Sequence, residues 1–350
     1  MCALQQRGGE ETDVVAAIRA GDQAAFAALA ARYRRRLHVH CYRMLGSFDD
    51  AEDLVQETLL RAWRGRDGFE GRSLFRTWLY RIATNACLSA LERAPRRVLP
   101  QDVAPPVTAA TDASNARATP AWAPEVPWLQ PYPDSLLDVS GPSEREPEAE
   151  LASRETIALV FLAALQHLPP RQRAILILCD VLGWSAAETA ASLELTVASV
   201  NSALQRAHAT MRAQLPAGSA PRPVTAPTDD ERAALGAFMD AWSRADAGAL
   251  VALLRENARW AMPPAPLWFD GRDAIARLFA LFPMDFHGRV TMVATAANRQ
   301  PAAAAYLRPH GQSVYRLTGV NVLRIEGGAI AEITTFGGAL CAGFGLAPTL

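Results

Sequence analysis

Asp285 and His287 are the pair in this chain best suited by type and spacing to bond-making chemistry. They lie two apart, so on a strand they share a face, and a carboxylate beside an imidazole can move a proton near neutral pH. Little else in the sequence supports catalysis. There is no nucleophile motif, no metal-ligand spacing and no cofactor fingerprint, so no cofactor, metal or catalytic residue is expected. Cys2, Cys41, Cys87, Cys179 and Cys341 are odd in number and scattered, which fits neither a disulfide framework nor a zinc site and agrees with a reducing cytosol. A second chemistry is recognition. The stretch from Phe69 to Asn85 mixes aromatic rings with arginines, as single-stranded DNA requires: bases stack on rings and guanidinium groups neutralise phosphates. The same mixture serves an ordinary core helix, and Trp78 and Leu79 are expected to be buried. Ser199, Asn201, Ser202, Gln205 and Arg206 offer the polar edges that reading a major groove needs.

These residues have to be positioned by more than one domain. At 350 residues the chain is long enough for two or three. Half of it is hydrophobic, yet no apolar run approaches membrane-spanning length, and Arg7, Glu10, Glu11 and Asp13 interrupt any secretory core near Met1. Its 35 basic residues are all Arg, a bias expected of a GC-rich genome. Residues 1–99 carry 16 Arg against 12 acids, whereas residues 100–150 carry 2 Arg against 9 acids and ten Pro. A basic segment is thus followed by an acidic, mostly extended linker. Before it, residues 12–93 read as nearly continuous helix, broken at Gly21-Asp22, at 46–49 and at 64–73. A second helical block covers 151–215, and 216–228 is a Pro/Ala-rich tether. Beyond Asp229 a helix gives way to short alternating segments at 290–296, 303–306, 315–325 and 329–336. With a turn at Gly327-Gly328, these predict antiparallel hairpins.

Within the first block, residues 50–63 begin with acids suited to capping a helix, and Leu54, Val55, Leu59, Ala62 and Trp63 recur on one helical face. Asp50, Glu52, Asp53, Gln56 and Glu57 are left on the outside. In the second block Pro169-Pro170 opens a helix, and Ser185 with Glu188 forms a capping box for a short helix ending near Leu193. Thr196 caps the next, which places Val200, Leu204, Ala207 and Met211 on one face. Two short helices about three residues apart make a helix-turn-helix.

In this order, the segments resemble bacterial sigma factors of the extracytoplasmic-function (ECF) group of the sigma-70 family. Residues 229–350, through 250–254, 258–264, 268–275 and 325–336, are similar to the SnoaL-like group, which is related to polyketide cyclases and nuclear transport factors. The resemblance implies a multidomain fold: an all-α region 2 over 12–97, the acidic Pro-rich linker over 98–150, an all-α helix-turn-helix region 4 over 151–215, the tether 216–228, and an α+β SnoaL-like cone over 229–350. It also implies roles. Asp50, Glu52, Asp53, Gln56 and Glu57 would hold the clamp of the largest subunit of core RNA polymerase. Arg72, Arg76, Arg81, Asn85, Arg93, Arg96 and Arg97 would hold the melted promoter −10 strand, with the loop 66–73 around a flipped base. Thr196, Ser199, Asn201, Ser202, Gln205 and Arg206 would read the −35 element.

Two positions depart from the family pattern. Glu194 stands where most members have Gly, so a non-Gly residue is expected at positive φ, and Asn201 and Ala203 replace frequent basic residues. The linker reads either as a flexible spacer or as an acidic segment that imitates nucleic acid in the polymerase channel, and Trp122, Trp128 and Tyr132 within it favour docking. In the cone, an apolar cavity is expected to be lined by Trp260, Met262, Trp268, Phe269, Phe286, Tyr306, Tyr315 and Phe336. Its open readings are an inert module, a site for an unidentified small ligand, and self-regulation in cis, the role that the resemblance implies for such appendages. The expected protein is a cytoplasmic initiation factor that binds core RNA polymerase and promoter DNA and contacts no membrane. The alternative is a cyclase- or isomerase-type enzyme fused to a DNA-binding regulator.

Overall fold

The computed structural model describes residues 15–69, 75–93, 95–108, 125–137, 157–215, 227–281 and 283–350. Among these, two units separate. The first is drawn from Met1–Arg96 and Ala164–Ala220, the second from Arg97–Asp138, Arg154–Ala163 and Pro221–Leu350.

In the first unit, α1 spans Gln23–Leu45, α2 Phe48–Arg64 and α3 Phe75–Leu91. The Asp22 carboxylate caps α1 by accepting from the Ala24 and Ala25 amides, and Gly46 closes it in the left-handed region at φ 70°. Helix α2 starts earlier than its acids predict. Ser47 is its cap, with the Asp50 amide donating to the Ser47 hydroxyl, and Asp49 and Asp50 lie in the first turn, where the helix dipole favours them. Its buried face is Ala51, Val55, Thr58 and Ala62, with Leu54 and Leu59 half-buried. Thr58 is tolerated there because its hydroxyl donates to the Leu54 carbonyl at 2.6 Å. Helix α3 buries Phe75, Leu79, Tyr80, Ala83, Thr84, Ala86 and Cys87, while Trp78 is half-buried.

Helix α4 (Leu159–Gln166) straddles the division between units. Helix α5 (Pro170–Leu176) then runs into a π-helical turn at Ile177–Val181. Helix α6 (Ala186–Leu193) carries the expected capping box: the Glu188 amide donates to the Ser185 hydroxyl at 3.1 Å and the Ser185 amide donates to the Glu188 carboxylate at 2.8 Å. Glu194 ends it at φ 57°, as its departure from Gly predicts. Helix α7 (Val197–Gln214) is capped by Thr196 and buries Val200, Ala203, Ala207 and Met211. Ala203 takes the core position expected of Leu204, which is half-buried.

In the second unit, α8 (Asp229–Arg244), α9 (Ala247–Ala252) and α10 (Arg272–Leu281) pack on a six-stranded sheet. Its strands are β1 (Leu254–Ala261), β2 (Trp268–Asp270), β3 (Gly288–Ala297), β4 (Gln300–Pro309), β5 (Arg316–Glu326) and β6 (Ala329–Gly337), ordered β2-β1-β6-β5-β4-β3. The run β3 to β6 is antiparallel, as alternation predicts, but β1 pairs with β6 in parallel. Gly319 is required by a close approach, because a Cβ there would lie 2.1 Å from the Phe336 carbonyl oxygen. Phe238, Leu250, Trp260, Phe269, Ile275, Leu323 and Ile333 form the core between helices and sheet.

The described linker residues are part of this unit. The Val107 amide donates to the Trp268 carbonyl at 2.9 Å and the Asp270 amide donates to the Val107 carbonyl at 3.0 Å, which extends the sheet beyond β2. The Trp268 indole donates to the Ala104 carbonyl at 2.9 Å. Trp128, Leu129 and Tyr132 are buried, so this stretch is packed where the flexible-spacer reading would leave it in solvent.

Candidate nucleic-acid and polymerase interface

The acidic side of α2 is exposed but partly neutralised from within. Glu52 pairs with Arg34 of α1 and accepts from the Gln56 amide at 3.5 Å. Glu57 pairs with Arg61 one turn on, at 2.7 Å. Asp53 is exposed and Asp50 half-buried. On the same helix Leu60 is 50 % exposed, an apolar contact point that the periodicity did not single out because it lies off the buried stripe.

The face of α3 expected to hold a single strand meets the second helical block inside the first unit. Arg81 Nη2 lies 3.2 Å from the Glu194 carboxylate. The Tyr80 and Trp184 rings stand edge to face with centroids 6.5 Å apart, and Arg96 Nη1 is 2.7 Å from His167 Nδ1. Asn85 and Arg93 are exposed; Arg76 is half-buried with its Nε unpartnered. Arg97 belongs to the second unit, where its guanidinium donates to the Trp128 carbonyl at 3.4 Å. Arg72 lies outside the described residues.

Arg173 of α5 is the residue of this face that sequence reasoning missed. It is 1 % exposed and has no acidic partner in hydrogen-bonding range among the described residues. Its guanidinium donates to the Met44 carbonyl at the end of α1, to Gln166 Oε1 at 2.7 Å, to the Gln166 carbonyl at 3.0 Å and to the Leu168 carbonyl at 3.2 Å. Carbonyls at a helix C-terminus lack intrahelical donors and carry the negative end of the dipole, so a cation suits Met44. Burial pulls the pKa of Arg173 down to about 10, which still leaves it charged at neutral pH. Its signal in the sequence is its place on the helical face of Leu176 and Ile177, where a charge needs a reason.

The side of α7 expected to read DNA is clear of the core. Ser199, Asn201, Ser202, Gln205 and Arg206 are all exposed, while Thr196, also exposed, accepts from the Ser199 amide at 3.1 Å as the cap. Val197 adds an apolar surface at the first turn, 45 % exposed.

Asp285 and His287 are not brought together as an acid–base pair. Asp285 and His287 lie in the turn before β3, not on a strand, and His287 is exposed beside Phe286. The Asp285 carbonyl, not its carboxylate, accepts from the Gly288 amide at 3.0 Å and pairs with His310 Nε2 at 2.9 Å. Of the residues expected to line a cavity, Trp260 and Phe269 belong to the core and Met262 packs at its margin. Phe336 is fully buried, and Tyr306 is buried with its hydroxyl donating to the Ala347 carbonyl at 3.0 Å. Trp268 takes its place under the linker, because neighbours on a strand face opposite ways. Tyr315 is half-buried beneath Arg308, and Phe286, in the turn, is 57 % exposed. One polar chain crosses the interior: the Trp260 indole donates to the Thr335 hydroxyl at 2.8 Å, which donates to Asn321 Oδ1 at 2.6 Å. No group of His, Cys, Asp or Glu able to hold a metal occurs among the described residues.

Helices α1–α3 and the helix-turn-helix define the class, that of sigma-70-type transcription initiation factors. The family models for Sigma-70 region 2, Sigma-70 region 4 and the SnoaL-like domain match residues 29–97, 158–211 and 235–333. The ECF RNA polymerase sigma factor SigG of Mycobacterium tuberculosis H37Rv is 44 % identical over 285 residues, 81 % of this chain and 74 % of that protein. The ECF RNA polymerase sigma-E factor of Salmonella typhimurium LT2 is 32 % identical over 194 residues, 55 % of this chain and 88 % of that one. The crystal structure of the M. tuberculosis extracytoplasmic function sigma factor SigJ aligns with 92 % of this chain and 99 % of its own at a TM-score of 0.56 and 19 % identity, a shared fold. The chain belongs to the ECF RNA polymerase sigma factors. It is an initiation factor with core RNA polymerase and promoter DNA as partners, and it is not an enzyme.

Proposed function

We propose that the acidic side of α2, with Leu60 at its edge, docks on the polymerase clamp, and that Arg81, Asn85, Arg93 and Arg96 receive the melted −10 strand. The exposed row on α7 then reads the −35 element. Charge complementarity supports the first contact, since Asp53 is exposed on the helix surface. The third is supported by five polar side chains turned away from a closed apolar seam. We further propose that the protein acts in the cytoplasm and that the SnoaL-like domain regulates it in cis. The observation that carries the regulatory reading is the packing of the described linker on that domain through Ala104, Val107 and Tyr132. Engagement of Arg81 by Glu194 supports a stored form in which one promoter-reading group is already occupied. Run-off transcription with purified core polymerase and the full chain tests the whole reading. Failure of the chain to bind core polymerase would remove it, and promoter-independent initiation would remove the assigned base contacts.

A further inference from the structure

The turn between β3 and β4 holds more of the linker than closing a hairpin requires. Ala297 and Gln300 pair across it, and Asn298 and Arg299 sit at φ 56° and 58°. Two successive positive φ values are the requirement of a two-residue hairpin turn that follows strand twist, and Asn at the first of them is well tolerated. Asn298 is nevertheless fully buried, which is unusual for the tip of a hairpin. Its amide donates to the Tyr132 carbonyl at 2.9 Å and its Oδ1 accepts from the Tyr132 amide at 2.8 Å. Its Nδ2 donates to the Ile157 carbonyl at 2.8 Å. The neighbours repeat the arrangement. The Arg299 amide donates to the Asp134 carboxylate at 2.8 Å, and Gln300 Oε1 accepts from the Leu159 amide at 3.1 Å. Pro133 and Ala297 form an antiparallel bridge.

One four-residue turn therefore grips the chain on both sides of residues 138–156. The consequence is one of reach. A free linker from Val98 to Leu159 spans on the order of 200 Å when fully extended, at roughly 3.3–3.6 Å per residue. With residues 132–134 and 157–159 held on the same turn, the intervening chain contributes nothing to that span. The rest of region 4, from α5 onward, is then connected to the anchor only through α4 and the few residues before α5.

We propose that the β3–β4 turn is a latch for the linker, with Asn298 as its bolt. Engaged, it withholds the linker from polymerase and limits how far regions 2 and 4 can separate; released, it restores both. This rests on the cis-regulatory reading above and gives it a place and a sign, since docking represses.

The test uses the full chain. Asn298→Gly keeps the turn, because Gly accepts positive φ, but removes both side-chain hydrogen bonds. Pro133→Cys with Ala297→Cys fixes the latch, since bridge partners on antiparallel strands lie about 4.5–5.5 Å apart at Cα, within disulfide range. Asn298→Gly should speed hydrogen exchange at the Tyr132 and Leu159 amides by about tenfold or more, as expected when about 1.4 kcal/mol of local protection is lost. Protection of β5 and β6 should remain unchanged. Run-off transcription should rise severalfold with Asn298→Gly, fall with the oxidised cysteine pair, and recover on reduction. Unchanged exchange in Asn298→Gly, or transcription indifferent to both changes, overturns the latch. Trp260→Ala separates the two levels. If it shifts transcription while neither latch variant does, the latch falls and cis regulation stands; if none of the three shifts it, both fall.

Discussion

Arg173 makes an unintuitive prediction: replacing it with Lys should destabilise the first unit more than replacing it with Met. The guanidinium serves four acceptors on two sides, including the end of α1 and the α4–α5 connection, from a site 1 % exposed. An ammonium keeps the charge but not the planar fork, so at least two of these bonds are lost. At about 1.5–3 kcal/mol for each bond to a charged group, the loss is about 3–6 kcal/mol. The desolvation that draws the Arg173 pKa down from its ordinary value to about 10 corresponds to about 3 kcal/mol against the buried charge. Lys retains a burden of that kind; Met removes it and fills similar space, which offsets part of the cost of the carbonyls left without a donor. The expected order is wild type, then Met, then Lys, because Lys keeps a buried charge with too few acceptors reached, whereas Met removes the charge. Because the two units need not unfold together, stability is read by native-state hydrogen exchange at α1 and α5 amides in low urea. A Lys variant as stable as wild type, or more stable than Met, would refute the claim that the fork across these carbonyls is what holds Arg173 in place.

His40 predicts acid sensitivity of the same unit. It is fully buried, Nε2 lies 2.9 Å from the Thr84 hydroxyl, and Nδ1 has no hydrogen-bond partner among the described residues. Burial, aided by Arg43, lowers its pKa from 6.5 to about 3. A folded pKa below the unfolded one means the contribution is complete above pH 6.5 and is lost as pH falls toward 3, at about 1.4 kcal/mol per pH unit. His40→Gln should flatten this slope in a pH series of thermal unfolding; an unchanged slope would place the sensitivity elsewhere. Asp53→Arg, at an exposed position off the buried stripe, should weaken core-polymerase binding at least tenfold with an unaltered circular dichroism spectrum, and unchanged affinity would count against α2 as the docking face. Gln205→Ala and Arg206→Ala should each cost about 1–3 kcal/mol at promoters with an intact −35 element and little where it is scrambled. An equal loss on both templates would mean phosphate contact instead of base reading.

Features decided within a few residues were legible before folding. The Ser185–Glu188 box, the Thr196 cap, the left-handed Glu194 and the Gly327-Gly328 turn depend on chemistry spanning one helical turn or one hairpin, and each is present. In α2 the period of 3.6 identifies the buried side through Val55 and Ala62, but the cap is Ser47, and Ala51 and Thr58 are buried where Leu54, Leu59 and Trp63 are half-buried. The apolar alternation of β3 to β6 likewise revealed strands but gave no hint of the parallel β1–β6 pairing. What only the tertiary structure decided are contacts between distant residues: Arg173 on Met44, 129 positions away, and Asn298 on Tyr132, 166 positions away. Both are single polar groups whose meaning lies in the carbonyls and amides they satisfy once water is excluded, and backbone partners leave no trace in side-chain pattern. The sequence alone therefore determined the order of domains and the caps of individual helices, because capping and local pattern span only a few residues. Whether the described linker residues are free or held, and which arginine bridges the two helical blocks, was settled by packing, because burial is what turns a polar side chain into an obligatory bond.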